Sequence, residues 1–163
     1  MSNSKKIILA GHFGVGKSSL VIRFVNNFFS DQYKVTIGVQ ILKKEIEVEK
    51  TKFNFIIWDI EGKSTLQEMR TSYLIGTQAF VYVIDPLRES TYTNLKEDLE
   101  YITVNYPKAF TIVVSNKSDL ISKKELDILF KEKDLKIDFY ASAKTGENVE
   151  NIFEKLGFKF LNL

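Results

Sequence analysis

The stretch Gly11-His12-Phe13-Gly14-Val15-Gly16-Lys17-Ser18 constrains this 163-residue chain more than any other. It follows a short apolar run, KIILA (6–10), and opens KSSLVIRFVNNF (17–28), in which Leu20, Phe24 and Phe28 fall at helical spacing. Strand, then G-x-x-x-x-G-K-[ST], then helix is the pattern of a phosphate-binding loop. Glycines let backbone N–H groups turn inward onto phosphate oxygens, and the helix presents its positive end to the same anion. Gly11, Gly14, Val15, Gly16 and Ser19 would form the cradle, Lys17 would reach the outer phosphates, and Ser18 would ligate Mg²⁺. Phe13 is bulky where such a loop keeps small residues.

The rest of the chain alternates apolar runs with helical patterns. VQILKKEIEVE (39–49) alternates like a half-buried strand, and KFNFIIWDI (52–60) follows it, so KTK (50–52) is expected to close an antiparallel hairpin. AFVYVID (79–85) and AFTIVVSN (109–116) are continuous apolar runs, as central parallel strands require. Residues 91–106, 123–132 and 147–160 read as helices, and IDFYAS (137–142) as a last strand. The expectation is one α/β domain over 1–163 with the P-loop fold. It has a six-stranded, mostly parallel sheet with one antiparallel strand, and five helices on both faces. Ligands of such sheets bind beyond the carboxyl ends of the strands.

Composition excludes several classes. A formal net charge of +2 gives no reason to expect nucleic acid as a partner. With no cysteine there is no disulfide, no thiolate metal site and no residue to carry a direct prenyl or palmitoyl anchor. The N-terminal apolar run is too short for a signal peptide, and no stretch approaches the roughly 20 apolar residues of a membrane span. A cytoplasmic monomer is expected, reaching membranes only through partners.

Three further motifs follow in order, each after a strand. In WDIEG (58–62), Asp59 can hold Mg²⁺ through a water, and Gly62 can offer its N–H to the terminal phosphate. In NKSD (116–119), the Asp119 carboxylate can accept from guanine N1–H and N2–H₂, a pattern adenine lacks. Asn116 can tie this loop to the phosphate loop, and the Lys117 stem can cover the base. In Ser142-Ala143-Lys144, the Ala143 N–H can bond the guanine oxygen. Each of the three is an ordinary polar turn in isolation; their order along the chain is what carries weight.

On these motifs the sequence resembles the Ras-like small GTPases, and most of all the Rab branch. YKVTIGVQ (33–40), FIIWDIEG, NKSDL and ASAKTGENV carry the likeness, which runs from about Lys6 to Phe160. The resemblance implies GTP or GDP and Mg²⁺ as ligands, and a role as a switch of the kind used in vesicle traffic. It implies effectors, exchange factors and GTPase-activating proteins as partners. It implies two switch segments, here about 29–39 and 61–76. By this likeness Thr36 binds Mg²⁺ and the terminal phosphate, Tyr33 closes over the phosphates and Phe29 packs against guanine. Ile41, Trp58 and Tyr73 fall where Rab proteins meet effectors; core packing is the competing reading for Trp58 and Tyr73.

The departures gather at the reaction. Lys63 stands where the family has the glutamine that orients the attacking water, and an ammonium has no acceptor. Glu61 replaces a small residue beside the phosphate. It would be repelled there unless Mg²⁺ or Lys63 offsets it, or it would serve as the water's acceptor itself. Phe13 would crowd the terminal phosphate or fold outward over the nucleotide. The first switch has Lys34 but no arginine, and His12, the only histidine, reads as a solvent-facing loop residue. The sequence stops at FKFLNL, three residues after Phe160, where Rab proteins continue into a tail ending in cysteine; either it is trimmed or the protein is not lipidated. Lys17, Thr36, Gly62, Lys63 and Glu61 are thus the residues on which hydrolysis turns. Two readings stand: a switch with slow or altered GTP hydrolysis, and a GTP-binding scaffold that does not hydrolyse. An ATP-using kinase is disfavoured by Asp119.

Overall fold

The computed structural model describes residues 3–32, 34–63 and 65–163. Six strands form one sheet: β1 (Ser4–Ala10), β2 (Val39–Val48), β3 (Thr51–Ile60), β4 (Ala79–Ile84), β5 (Phe110–Ser115) and β6 (Phe139–Tyr140). Their order is β2-β3-β1-β4-β5-β6, with β2 antiparallel to β3 and every other pair parallel. Five helices complete the α/β P-loop fold: α1 (Lys17–Asn26), α2 (Thr71–Leu74), α3 (Leu95–Asn105), α4 (Lys123–Glu132) and α5 (Val149–Leu161).

Alternation along the strands divides the core in two. Ile7, Leu9, Phe55, Ile57, Val81 and Val83 face α1 and α5, where Leu20, Phe24, Phe153 and Leu156 meet them. Ile8, Ala10, Ile60, Phe80 and Tyr82 face α2, α3 and α4, packing with Leu74, Leu95, Ile102, Leu126 and Phe130. Phe24 stacks on Phe153 with ring centroids 3.8 Å apart, and such pairs add about 1 kcal/mol beyond the area they bury. That contact sets α1, the helix that follows the phosphate loop, against α5.

The boundaries differ from the sequence reading in instructive places. The hairpin turns at Glu49 and Lys50, not at 50–52, because Val48 pairs with Thr51. Both turn residues have positive φ, 48° and 68°, as a two-residue turn matched to strand twist requires. Helix α1 ends two residues early, at Asn26, with Asn27 left-handed behind it. Helix α3 starts at Leu95, not 91, because the buried Thr91 hydroxyl is held in the turn after β4. It accepts the Asp85 N–H at 3.0 Å and lies 2.8 Å from the Arg88 carbonyl. Strand β6 is two residues long where six were expected. Helix α4 has the expected bounds and carries a capping box: Ser122 Oγ accepts the Glu125 N–H, and Glu125 Oε2 accepts the Ser122 N–H. Among the described residues no helix is long and apolar enough to cross a membrane.

Candidate functional site

A cavity of about 350 Å³ opens beyond the carboxyl ends of the strands. Of the phosphate-loop residues, Phe13, Gly14, Gly16, Lys17, Ser18 and Ser19 line it. Phe29, Thr36 and Gly62 come from the switch segments, and Asn116, Lys117, Asp119, Ala143 and Lys144 from the loops after β5 and β6. Gly11, Val15, Asp59, Glu61, Lys63 and Ser142 stand behind or beside this lining. Tyr33 lies outside the described residues.

The phosphate loop is held by its carbonyls. Lys17 Nζ donates to Gly11 O (2.9 Å) and His12 O (3.0 Å), and Arg88 donates to Phe13 O. Lys117 Nζ donates to Gly14 O (3.1 Å), and Asn116 Nδ2 to Val15 O (3.0 Å). The Gly16 carbonyl takes the Leu20 N–H, the first turn of α1. A loop whose carbonyls are all engaged has N–H groups to offer an anion. Two of its glycines cannot be replaced. A Cβ on Gly16 (φ 96°) would lie 2.3 Å from Asn116 Nδ2, and one on Gly11 (φ 136°) would lie 2.2 Å from the Val83 carbonyl.

Lys17 is 6% exposed. Burial pushes its ammonium down to about 8, with Asp59 pulling the other way and Arg88 adding to the fall. Two of its three donors are in use, so a third and the charge remain for a phosphate. The neighbouring oxygens form a hard, oxygen-only set. Ser18 Oγ lies 2.5 Å from Thr36 Oγ1 and donates to Asp59 Oδ2, which is 3.5 Å from Thr36 Oγ1. Asp59 is fully buried, and burial raises its pKa against the pull of Ser18, Lys17 and Thr36. Its Oδ1 has no hydrogen-bond partner among the described residues. A buried carboxylate with an unused oxygen beside two hydroxyls fits Mg²⁺, which binds through few protein oxygens plus phosphate and water. When bound, the ion neutralises charge on the phosphates.

At the base end, Ser142 Oγ donates to Asp119 Oδ1 at 2.7 Å and so orients that carboxylate. The Ala143 N–H, expected to face a guanine oxygen, donates to Asn116 Oδ1 at 3.1 Å. Lys117 is left-handed (φ 62°) and pairs with the buried Asp85 at 2.6 Å. Such a backbone costs on the order of 1 kcal/mol and persists where its surroundings demand it.

A family model described as the Ras family matches residues 6–162. The chain belongs to the Ras family. Its likeness is to the Rab branch. Ypt/Rab-type GTPase YPT7 of Saccharomyces cerevisiae is 35% identical over 167 residues, 94% of this chain and 80% of the yeast protein. Ras-related protein Rab7 of Prunus armeniaca is 34% identical over 169 residues, covering 96% and 82%. Ras-related protein RABC1 of Arabidopsis thaliana is 35% identical over 165 residues, covering 96% and 76%.

This Ras-family chain carries its departures in one place. Lys63 Nζ pairs with Glu61 Oε1 at 2.8 Å, and Glu61 Oε2 accepts the Gly38 N–H at 3.2 Å. The Lys63 bond, then the Gly38 bond, hold the Glu61 carboxyl below the usual glutamate range. Phe13 is half-exposed and lines the cavity. Gly62 lies so close that a Cβ on it would sit 2.3 Å from the Phe13 nitrogen. The segment after β3 thus touches the phosphate loop at Phe13.

The three residues expected to meet effectors are contiguous. Ile41 pairs with Trp58 across β2 and β3, and the Trp58 and Tyr73 rings lie 6.1 Å apart. Ile41 is exposed and the two rings are half-buried, while the Lys6 ammonium covers Trp58 at 3.9 Å.

Sequence reasoning missed Asp85, Arg88 and Asp98. Asp85 had the same signal as Asp59, an acid closing an apolar strand. Arg88 and the buried Asp98 had none, because their partners lie 75 and 32 residues away in sequence. Ser30, Asp31 and Gln32, also in the lining, have no motif that singles them out, and Lys34 and Leu120 fall inside YKVTIGVQ and NKSDL without having been assigned to the nucleotide.

Proposed function

We propose that this protein is a guanine-nucleotide switch that binds GTP and GDP with Mg²⁺ and cleaves GTP slowly. The observation that carries this is the convergence on one cavity of Lys17, the Ser18–Thr36–Asp59 oxygens and the Ser142-oriented Asp119. Lys17 and the loop amides hold phosphate, Ser18 and Thr36 ligate Mg²⁺ with Asp59 behind a water, and at the guanine end Asp119 reads the base, the Lys117 stem covers it and Asn116 ties the loop to the phosphate loop. Effectors dock on Ile41, Trp58 and Tyr73 as the switches respond to the terminal phosphate, with exchange factors and GTPase-activating proteins acting on the same segments. A place in vesicle traffic is what the likeness to the Rab branch implies.

Hydrolysis is slow because, among the described residues, nothing beside Gly62 is set to orient water. Lys63 only donates, Glu61 has each carboxylate oxygen tied, one to Lys63 and one to Gly38, and Phe13 crowds the approach of an arginine from outside. Glu61 is a brace between the switches, not the acceptor for water. A second reading, a scaffold that never hydrolyses GTP, is favoured by this same brace. Isothermal titration with Mg²⁺ tests the first claim: micromolar or tighter GTP and GDP binding supports it, and no guanine-nucleotide binding refutes it. Single-turnover hydrolysis then separates switch from scaffold.

A further inference from the structure

Arg23 stands on α1 six residues beyond Lys17, about 9 Å along the helix axis, against the 143–144 backbone that lines the base end of the same cavity. Its Nε donates to the Ala143 carbonyl at 2.8 Å, its Nη2 donates to the Lys144 carbonyl, and its Nη1 is 3.4 Å from Asn27 Oδ1. Gly146 packs beside the guanidinium, with room for a Cβ 3.8 Å from Nε. Ala143 and Lys144 are the part of the last loop that lines the cavity. Ala143 is in turn held by Asn116, and the preceding Ser142 orients Asp119.

We propose that Arg23 is a positioning residue for base recognition, clamping two successive carbonyls of the 142–144 loop onto the helix that carries the phosphate-binding Lys17 and Ser18. The inference rests on the nucleotide reading above and names a residue that none of the motifs contains. The planar fork of arginine suits the task, since it meets two carbonyls in a fixed geometry that a lysine point charge cannot reproduce. With the clamp in place, one rigid helix fixes the distance between the phosphate end and the base end. With it broken, the base loop loosens while the phosphate loop keeps its own carbonyl bonds.

The test compares wild type, Arg23→Gln and Arg23→Lys for Mg-dependent binding of GDP and of inorganic pyrophosphate, with melting curves as a check on folding. Arg23→Gln is expected to release a fluorescent GDP analogue at least tenfold faster and to weaken GDP at least tenfold. Its pyrophosphate affinity should stay within twofold. Arg23→Lys, which keeps the charge and one donor direction, should fall between. A general packing defect would weaken both ligands alike, and that result overturns the proposal, as does GDP release unchanged in both variants. If the wild type binds pyrophosphate but not GDP, or binds neither, the nucleotide reading itself fails and this inference with it. A wild type that binds GDP, with variants equal to it, removes only the role of Arg23.

Discussion

Glu61 and Gly38 exchange two hydrogen bonds: the Glu61 N–H donates to the Gly38 carbonyl at 2.9 Å, and the Gly38 N–H donates to Glu61 Oε2 at 3.2 Å. One of these uses the Glu61 side chain, which a small residue at this position would not supply. The second switch thereby grips the first, beside Thr36, through the protein's own atoms. Glu61→Ala should keep the backbone bond and lose the other. Amide exchange over 36–40 should speed up in that variant while exchange in β1 and β4 stays as it was. Equal protection of Gly38 in both proteins would contradict the brace.

Hydrolysis should respond to restoring the family's residues. Lys63→Gln gives the water an acceptor, and Phe13→Gly clears space above Gly62. The double variant is expected to approach the small-GTPase rate of about 10⁻⁴ s⁻¹, from a lower wild-type value, in single-turnover phosphate release. An unchanged rate would show that these two residues do not limit the reaction.

Asp119 and Lys17 act at opposite ends of the cavity, so their loss should have different signatures. Asp119→Ala removes two charge-assisted bonds to guanine, each worth about 1.5–3 kcal/mol, and should weaken GDP at least tenfold with little effect on pyrophosphate. Lys17→Ala should weaken both. Calorimetry on the two ligands checks this, and a matched loss of pyrophosphate binding in Asp119→Ala would contradict the assignment.

A buried link at Asp98 gives a pH prediction. Asp98 Oδ2 accepts the Tyr82 hydroxyl at 2.5 Å, and Oδ1 accepts the Leu66 N–H of the second switch at 2.9 Å. Burial, then the Asp98 carboxylate, holds the Tyr82 phenol well above its ordinary value of 10. The folded protein keeps that proton more tightly than the unfolded chain does. The stability it contributes is therefore whole below about pH 10 and is lost as pH rises beyond it. Tyr82→Phe should cost about 1–3 kcal/mol at neutral pH, because a buried carboxylate loses a donor. It should also flatten the fall in melting temperature between pH 9.5 and 11. Parallel curves for the two proteins would contradict this.

Much of this was legible in the sequence because it is local. A phosphate loop needs its glycines and lysine in one short run, and parallel strands need continuous apolar residues. Helix α4 has the bounds its pattern predicted, and Ser122 and Glu125, within four positions of each other, cap it locally. What was illegible depends on distant partners. Glu49 and Lys50 are not turn formers, and only the pairing of Val48 with Thr51 puts the turn there. The start of α3 was set by Thr91 closing back onto Asp85. The Ala143 N–H was aimed at guanine by motif, but a side chain 27 residues earlier takes it. Glu61 had been left between repulsion and catalysis until its contacts with Lys63 and Gly38 gave it a third role.

Slow cleavage of a tightly held GTP is what distinguishes the proposed switch. The most direct measurement loads the purified protein with GTP labelled on the terminal phosphate and follows bound label over hours at saturating Mg²⁺. Near-stoichiometric retention is expected, with label lost more slowly than about 10⁻⁴ s⁻¹. No retained label, or release of labelled phosphate at or above that rate, would contradict it.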